Sequence, residues 1–143
     1  MSPSAWPLHV PVTVRTFDID FAGHVSNIVY LQWLEIARTE LLEAVGLPVP
    51  TLVDEGFAPV VARTEIEYRR PVVLGDPVTV HLGLSRLRAL SAQVEFEVRA
   101  GDTLAATARQ LGVFVTLATG RPRRLEPELR DRFLPYLLTP QGG

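Results

Sequence analysis

Two aspartates, a glycine, a histidine and an asparagine fall within one short stretch, Asp18-Ile-Asp20-Phe-Ala-Gly23-His24-Val-Ser-Asn27. A carboxylate can act as a nucleophile or as a general base on water, and backbone N–H groups can stabilise a developing oxyanion. Such N–H groups collect at the start of a helix, together with the positive end of its dipole. The residues after Asn27 are apolar almost without interruption as far as Val45, and Gly46-Leu-Pro48 closes them. That is a helix with a stop, since Gly46 can take the left-handed conformation and Pro48 cannot extend it. Ser26 and Asn27 are both good capping types at its start. Asp20 therefore reads either as a site carboxylate beside a helix N-terminus or as an ordinary loop carboxylate. Asp18 reads as the residue that orders the loop by accepting backbone hydrogen bonds.

The elements around this stretch follow from periodicity. Leu8, Val10, Val12 and Val14 alternate with polar residues as a strand, and Pro11 on its other face favours an edge. The helix predicted over 28–45 carries a narrow polar stripe, Gln32, Glu35, Thr39 and Glu43, and is otherwise apolar enough to be buried on most sides. Residues 48–56 read as a polar, proline-containing connector. A period of two then takes over. Val60, Ala62, Thr64, Ile66 and Tyr68 share one face, and Val78, Val80, Leu82 and Leu84 continue in a second strand. Val94, Phe96 and Val98 form a third, which Ala100-Gly101-Asp102 turns back. Over 104–118 the apolar parity changes, which predicts a bulge near Gly112 or cover on both faces. A basic turn over 120–124 and a short helix over 126–138 finish the chain. The order is strand, long helix, four strands in meander, short helix, in a single domain over 1–143 with 1–7 and 140–143 loose. An antiparallel sheet curled round one apolar helix satisfies both, giving an α+β fold whose open edges invite a second subunit.

Composition narrows the function. The 143 residues contain no cysteine, which excludes disulfides, thiolate nucleophiles and cysteine-based zinc sites. The net charge is -2 and the arginines are dispersed, which speaks against nucleic-acid binding. No apolar run is long enough to span a bilayer and no secretory signal is evident, so a cytoplasmic location is expected. His9 and His81 stand at unrelated strand positions, and no spacing suggests a metal.

The pattern Asp18-x-Asp20-x-x-Gly23-His24-Val25-Ser26-Asn27-x-x-Tyr30, followed by Trp33-Leu34-Glu35-x-Ala37-Arg38, resembles the signature of hotdog-fold acyl-CoA thioesterases of the 4-hydroxybenzoyl-CoA thioesterase-like family. Tyr68-Arg69-Arg70-Pro71-x-x-x-Gly75-Asp76 is a weaker part of the same likeness. The resemblance implies a hotdog fold, an antiparallel sheet of about five strands wrapped around one long central helix. It also implies a homodimer or a dimer of dimers, a homotetramer, with sites at the dimer interface. By the resemblance Asp20 is the catalytic carboxylate, and the Asn27 N–H polarises the carbonyl of a thioester. Relatives often carry an aromatic residue or histidine where this chain has Ser26 and Asn27, so His24 and the Asn27 side chain join Asp20 in the catalytic group as candidates to share in binding, with capping of the loop as the alternative for His24. The Asp-x-Asn-Pro-x-His motif of hotdog hydratases is absent from the sequence.

The implied substrate is an acyl-CoA. No cofactor is called for, because CoA belongs to the substrate. Gly23 supplies a backbone angle that other residues avoid. Tyr30, Trp33, Phe57 and Val60 are candidate walls of an acyl pocket, with an ordinary core as the alternative. Arg86 and Arg88 are candidates for the CoA phosphates, and Arg121, Arg123 and Arg124 form a second basic group, each open to the plainer reading of solvated arginines. The competing functions are an acyl-acyl carrier protein thioesterase and a non-catalytic acyl-CoA-binding module.

Overall fold

The computed structural model describes residues 5–138. Its centre is a five-stranded antiparallel sheet of β1 (Leu8–Val12), β2 (Phe57–Tyr68), β3 (Val78–Leu87), β4 (Ser91–Ala100) and β5 (Thr103–Thr116). The spatial order is β1-β3-β4-β5-β2. Against one face lies the 18-residue helix α1 (Asn27–Ala44), and two shorter helices, α2 (Val49–Glu55) and α3 (Pro127–Arg132), lie at its margins. No helix among the described residues is long and apolar enough to cross a membrane.

The core forms where α1 meets the inner rows of the strands. Trp33, Leu34, Ala37 and Leu41 of α1 are buried with Val80, Leu82 and Leu84 of β3 and Phe96 and Val98 of β4. Spacings of three and four put these helix residues on one side. The helix is buried on fewer sides than the expected burial on most of them, because the flank away from the sheet is not covered: Ile28, Leu31 and Ile36 are all exposed. One sheet can cover only one flank of a rod.

Four further expectations are corrected. The strands do not run as a simple meander, because β2 skips its successor and pairs with β5. Residues 69–77 carry the chain back across the sheet, with Val72 fully buried between them. Residues 49–55 are a helix, with Pro50 in its first turn and Gly56 closing it at φ 78°. Both signals were in the sequence, since proline suits a first helical turn and glycine a left-handed stop. The parity of β5 does not change at Gly112: Ala106, Ala108, Gln110 and Phe114 are all buried on one parity, and the irregularity within β5 lies at its start, where Val98 pairs with Ala106 and Arg99 with Leu104, leaving the buried Ala105 between them. Near Gly112 the extra residue is in β2, where the register shifts between Val61 and Arg63 opposite Gly112 and Leu111. Lastly, Trp6, in the arm expected to be loose, is buried. Residues 1–4 and 139–143, which include the loose C-terminal end, lie outside the described residues.

On the outer face His81 is buried, stacked on His9 with ring centroids 4.2 Å apart, and among the described residues its Nδ1 has no partner. Burial lowers its pKa, and His9 and Arg99 push the same way while Glu97 opposes them. The unfolded chain therefore takes up a proton at His81 more readily than the folded one, so acidification through the ordinary histidine range lowers stability. The melting temperature should fall between neutral and mildly acid pH, and His81→Phe should flatten that slope; an identical slope in both proteins would remove His81 as its source.

Candidate functional site

The loop before α1 is built by backbone hydrogen bonds. Ile19 and Val25 form an antiparallel bridge, and between them the Asp20 N–H donates to the His24 carbonyl at 2.8 Å. The Gly23 N–H donates to the Asp20 carbonyl at 3.0 Å, with Gly23 at φ 82°. This turn explains the residue types: a left-handed angle favours glycine, and an aspartate can accept from the backbone two residues on. The Ala22 N–H indeed donates to Asp20 Oδ1 at 2.9 Å, and the His24 N–H reaches the same oxygen at 3.4 Å. Among the described residues, no hydrogen bond to Asp20 Oδ2 occurs. The carboxylate is thus held by one oxygen on an exposed loop, with the other free.

Asp18 is the ordering residue. It is buried, its Oδ2 accepts the Arg15 N–H at 2.8 Å, and its carbonyl accepts the Ser26 N–H at 2.8 Å. The Val25 N–H donates to the Val72 carbonyl, which ties the loop to the segment between β2 and β3. Ser26 is the N-cap but makes no side-chain capping bond, and Asn27 is the first helical residue. Among the described residues, the Asn27 and Ile28 N–H groups find no acceptor. They stand where a helix carries its positive partial charge, roughly half an elementary charge. The His24 side chain is exposed and makes no hydrogen bond among the described residues.

One neighbour was not among the site candidates. Tyr68, at the end of β2, donates from its hydroxyl to the Asn27 carbonyl at 3.4 Å. Its ring meets Tyr30 edge-on at 5.0 Å, and Tyr30 in turn leans on Trp33 at 5.1 Å. Burial raises the pKa of both tyrosine hydroxyls, and their mutual proximity adds to it at Tyr30. The only sequence signal for Tyr68 was its place beside Arg69-Arg70-Pro71.

The remaining candidates lie elsewhere. The strand pairings set Val12, Val78, Ala100, Thr103 and Tyr68 at one end of the sheet, with Leu8, Leu87, Ser91, Thr116 and Phe57 at the other. Asp20, Gly23, His24, Asn27, Tyr30 and Tyr68 gather at the first end. Phe57, Val60, Arg86 and Arg88 gather at the second. Phe57 is a core residue with the Arg123 guanidinium 4.6 Å over its ring. Val60 is 43 % exposed and borders an apolar cavity of about 260 Å³ between α1, α2, β2 and β5. Arg86 shares a surface hollow with Arg63 and Arg109, while Arg88 sits at the turn where its N–H donates to the Ser91 carbonyl. Within one chain the two groups do not form one site. Among the described residues no cluster of three or more acidic or histidine side chains is placed to hold a metal.

Comparison with known proteins matches residues 14–133 to the thioesterase-like superfamily. The chain is 31 % identical to the long-chain acyl-CoA thioesterase FadM of Escherichia coli (strain K12) over 127 residues, 87 % of this chain and 96 % of that one. It is 34 % identical to a 1,4-dihydroxy-2-naphthoyl-CoA hydrolase of Prochlorococcus marinus (strain MIT 9303), covering 94 % of this chain and 93 % of that one. Among solved structures, a thioesterase from Thermus thermophilus complexed with coenzyme A and Zn superposes with a TM-score of 0.77 at 36 % identity, over 90 % of this chain and 92 % of that chain.

A Cβ at Gly23 would meet nothing within 4 Å, so a substitution there is resisted by the backbone angle alone. Gly23→Ala should destabilise the protein by about 1–2 kcal/mol in urea unfolding. A loss near zero would mean that the loop has no need of its left-handed turn.

Proposed function

The chain belongs to the thioesterase-like superfamily, in its hotdog-fold, 4-hydroxybenzoyl-CoA thioesterase-like branch, and we propose that it hydrolyses an acyl-CoA thioester to the free acid and CoA. The observation that carries the reading is the pairing of a carboxylate held by one oxygen with unpartnered N–H groups on the next helix turn. A thioester has a good leaving group and little resonance stabilisation, so few groups suffice. Asp20 either directs water at the carbonyl carbon or attacks it itself. The Asn27 N–H, backed by the helix dipole, receives the charge that develops on the carbonyl oxygen. As the tetrahedral species collapses, the C–S bond breaks and the departing thiolate takes up a proton. With water as nucleophile that proton is the one Asp20 removed and the free acid forms directly, whereas with Asp20 as nucleophile an acyl–Asp20 anhydride is left, which water then hydrolyses to the free acid and the carboxylate. His24, exposed beside the loop, is assigned to substrate binding. No metal or organic cofactor enters the scheme. The hotdog arrangement, with α1 as its central rod, is the frame this proposal adopts, and a cytoplasmic location goes with an acyl-CoA substrate.

The working unit in this reading is at least a homodimer. β2 pairs on one side only and leaves a free edge of 12 residues on which Val60 and Val61 are both more than 40 % exposed. A long unpaired edge with an apolar end is a template for a second strand. Two copies pairing β2 edge to edge about a two-fold axis run antiparallel. The Tyr68 end of each strand then lies beside the Phe57–Val60 end of the other. That arrangement brings the Asp20 end of one subunit to the cavity bordered by Val60 in its neighbour, and it unites the two halves that a single chain keeps apart. The exposed Leu31 and Ile36 on α1 leave a further surface for pairing dimers into a tetramer.

Two measurements test this. Asp20→Asn should keep the fold and the oligomer and reduce free-thiol release from acyl-CoA by about 10²–10⁴-fold; an unimpaired variant would remove the mechanism. Mixing inactive Asp20→Asn subunits with inactive Val60→Glu subunits should restore about a quarter of the wild-type activity, because half the dimers then hold one intact site of two. No recovery on subunit exchange would place both halves in one chain.

A further inference from the structure

The inward row of β5 contains a residue that a hydrophobic core has no use for. Gln110 is 3 % exposed and stands between Ala108 and Phe114 on the face that meets α1. Its Nε2 donates to Thr64 Oγ1 at 3.1 Å, and its Oε1 accepts from Arg38 Nη1 at 2.7 Å. Arg38 projects from the half-buried side of α1 into the cavity of about 260 Å³ whose other walls include Leu52, Val61 and Phe114. Among the described residues, no carboxylate lies within 4.0 Å of its guanidinium and Gln110 is its sole hydrogen-bond partner. A guanidinium carries five N–H donors, so four are left to water or to a ligand. Glu35, one helical turn away, lines the same cavity, and among the described residues its carboxylate accepts no hydrogen bond. Burial lowers the pKa of Arg38 and the charge of Glu35 opposes that.

The cavity is therefore an apolar chamber with one polar wall, where a half-buried guanidinium with donors to spare and an exposed carboxylate stand one helical turn apart and their charges cancel. A hydrocarbon tail reaching this wall would strip water from both groups and return nothing. A carboxylate would meet Glu35 as well as Arg38. A hydroxyl fits, because it can accept from Arg38 and donate to Glu35.

We propose that the cavity receives the far end of the acyl group and that Arg38, held in place by Gln110 and acting with Glu35, selects substrates whose far end carries a hydroxyl group. The proposal rests on the shared-site reading above, in which the cavity of one subunit faces the Asp20 end of the other. It assigns a specificity role to two polar residues that take no part in the hydrolysis itself.

The test separates recognition from turnover. Non-hydrolysable S-alkyl-CoA thioethers and their ω-hydroxy counterparts, matched over a series of chain lengths, are titrated calorimetrically into the wild-type protein, Arg38→Met and Gln110→Glu. The corresponding thioesters are assayed for thiol release. At one chain length the wild type should bind the ω-hydroxy thioether about tenfold tighter or better, since a site built to bond a hydroxyl rejects the analogue that lacks it. Arg38→Met removes the donor, and Gln110→Glu occupies it with a buried ion pair, so both should bring the ratio towards one. Because each result is a ratio within one protein, a general loss of stability cancels. Equal affinities at every length in the wild type, or a ratio unchanged in both variants, would overturn the proposal. A preference among thioethers without thiol release from any thioester would sink the hydrolase reading and leave the selectivity standing; turnover without preference would do the reverse. No binding and no turnover would overturn both.

Discussion

Hydrogen bonding along a β-sheet is two-sided, and among the described residues β2 uses only one side. Most other features of this molecule make sense in relation to that free edge. β2 lies at the rim because residues 69–77 carry the chain across the sheet instead of turning it back, so β5 pairs with β2 and with β4 at once. The rim strand also carries the exposed Val60 and Val61, both of which line the cavity. Its two ends carry different parts: Tyr68 touches the first residue of α1, while Val60 borders the cavity. A strand that is antiparallel to its own copy exchanges those ends. The same edge that would be a liability in a monomer is, in the proposed dimer, what joins a carboxylate to a pocket.

Much of this was legible in the residues because local and long-range preferences agree. The turn from Asp20 to His24 needs a left-handed residue and a short acceptor, and Gly23 and Asp20 are those residues. The stop of α1 at Gly46 and Leu47 follows from a glycine before a proline, and the Leu47 N–H returns to the Leu42 carbonyl as such an ending requires. Pro11 lies in an edge strand, β1, where its missing N–H costs no ladder bond. What was illegible is what depends on non-local pairing. Alternation in β2 and β3 says that each has an inner and an outer face, but nothing in it says which strands are neighbours. The parity of β5 misled for the same reason: Leu111 and Val113 are apolar, and only the register with β4 reveals that Gln110 and Phe114 are the inward pair.

The candidate site divides along the same line. Asp20, Gly23, His24 and Asn27 are close in sequence, so their grouping needed only the loop and the helix start. Phe57, Val60, Arg86 and Arg88 were assigned to the same site through resemblance alone, and the fold sets them at the opposite end of the sheet. Tyr68, though part of the weaker likeness, was left out of the site because its contact spans 41 positions of the chain and its alternation is that of any strand residue. A site shared by two copies is the arrangement in which the local and the distant candidates are both useful. In one copy, half of them have nothing to act on.

Gln110 shows how that logic extends into the core. Replacing it by leucine would suit the inner row of β5 by pattern, yet the glutamine anchors Thr64 on β2 and Arg38 on α1, linking the rim strand to the helix by two side-chain bonds. Gln110 is bonded through both its amide oxygen and its amide nitrogen, whereas among the described residues only Nη1 of Arg38 is bonded and the half-buried guanidinium keeps its other donors for water or a ligand. A chain that needed only a stable interior would gain by losing all three. Their presence beside an open chamber, at the edge where a second copy would deliver the thioester, is better understood as a polar wall kept for a ligand oxygen, and in the proposed dimer that wall is the assembled site's means of discrimination.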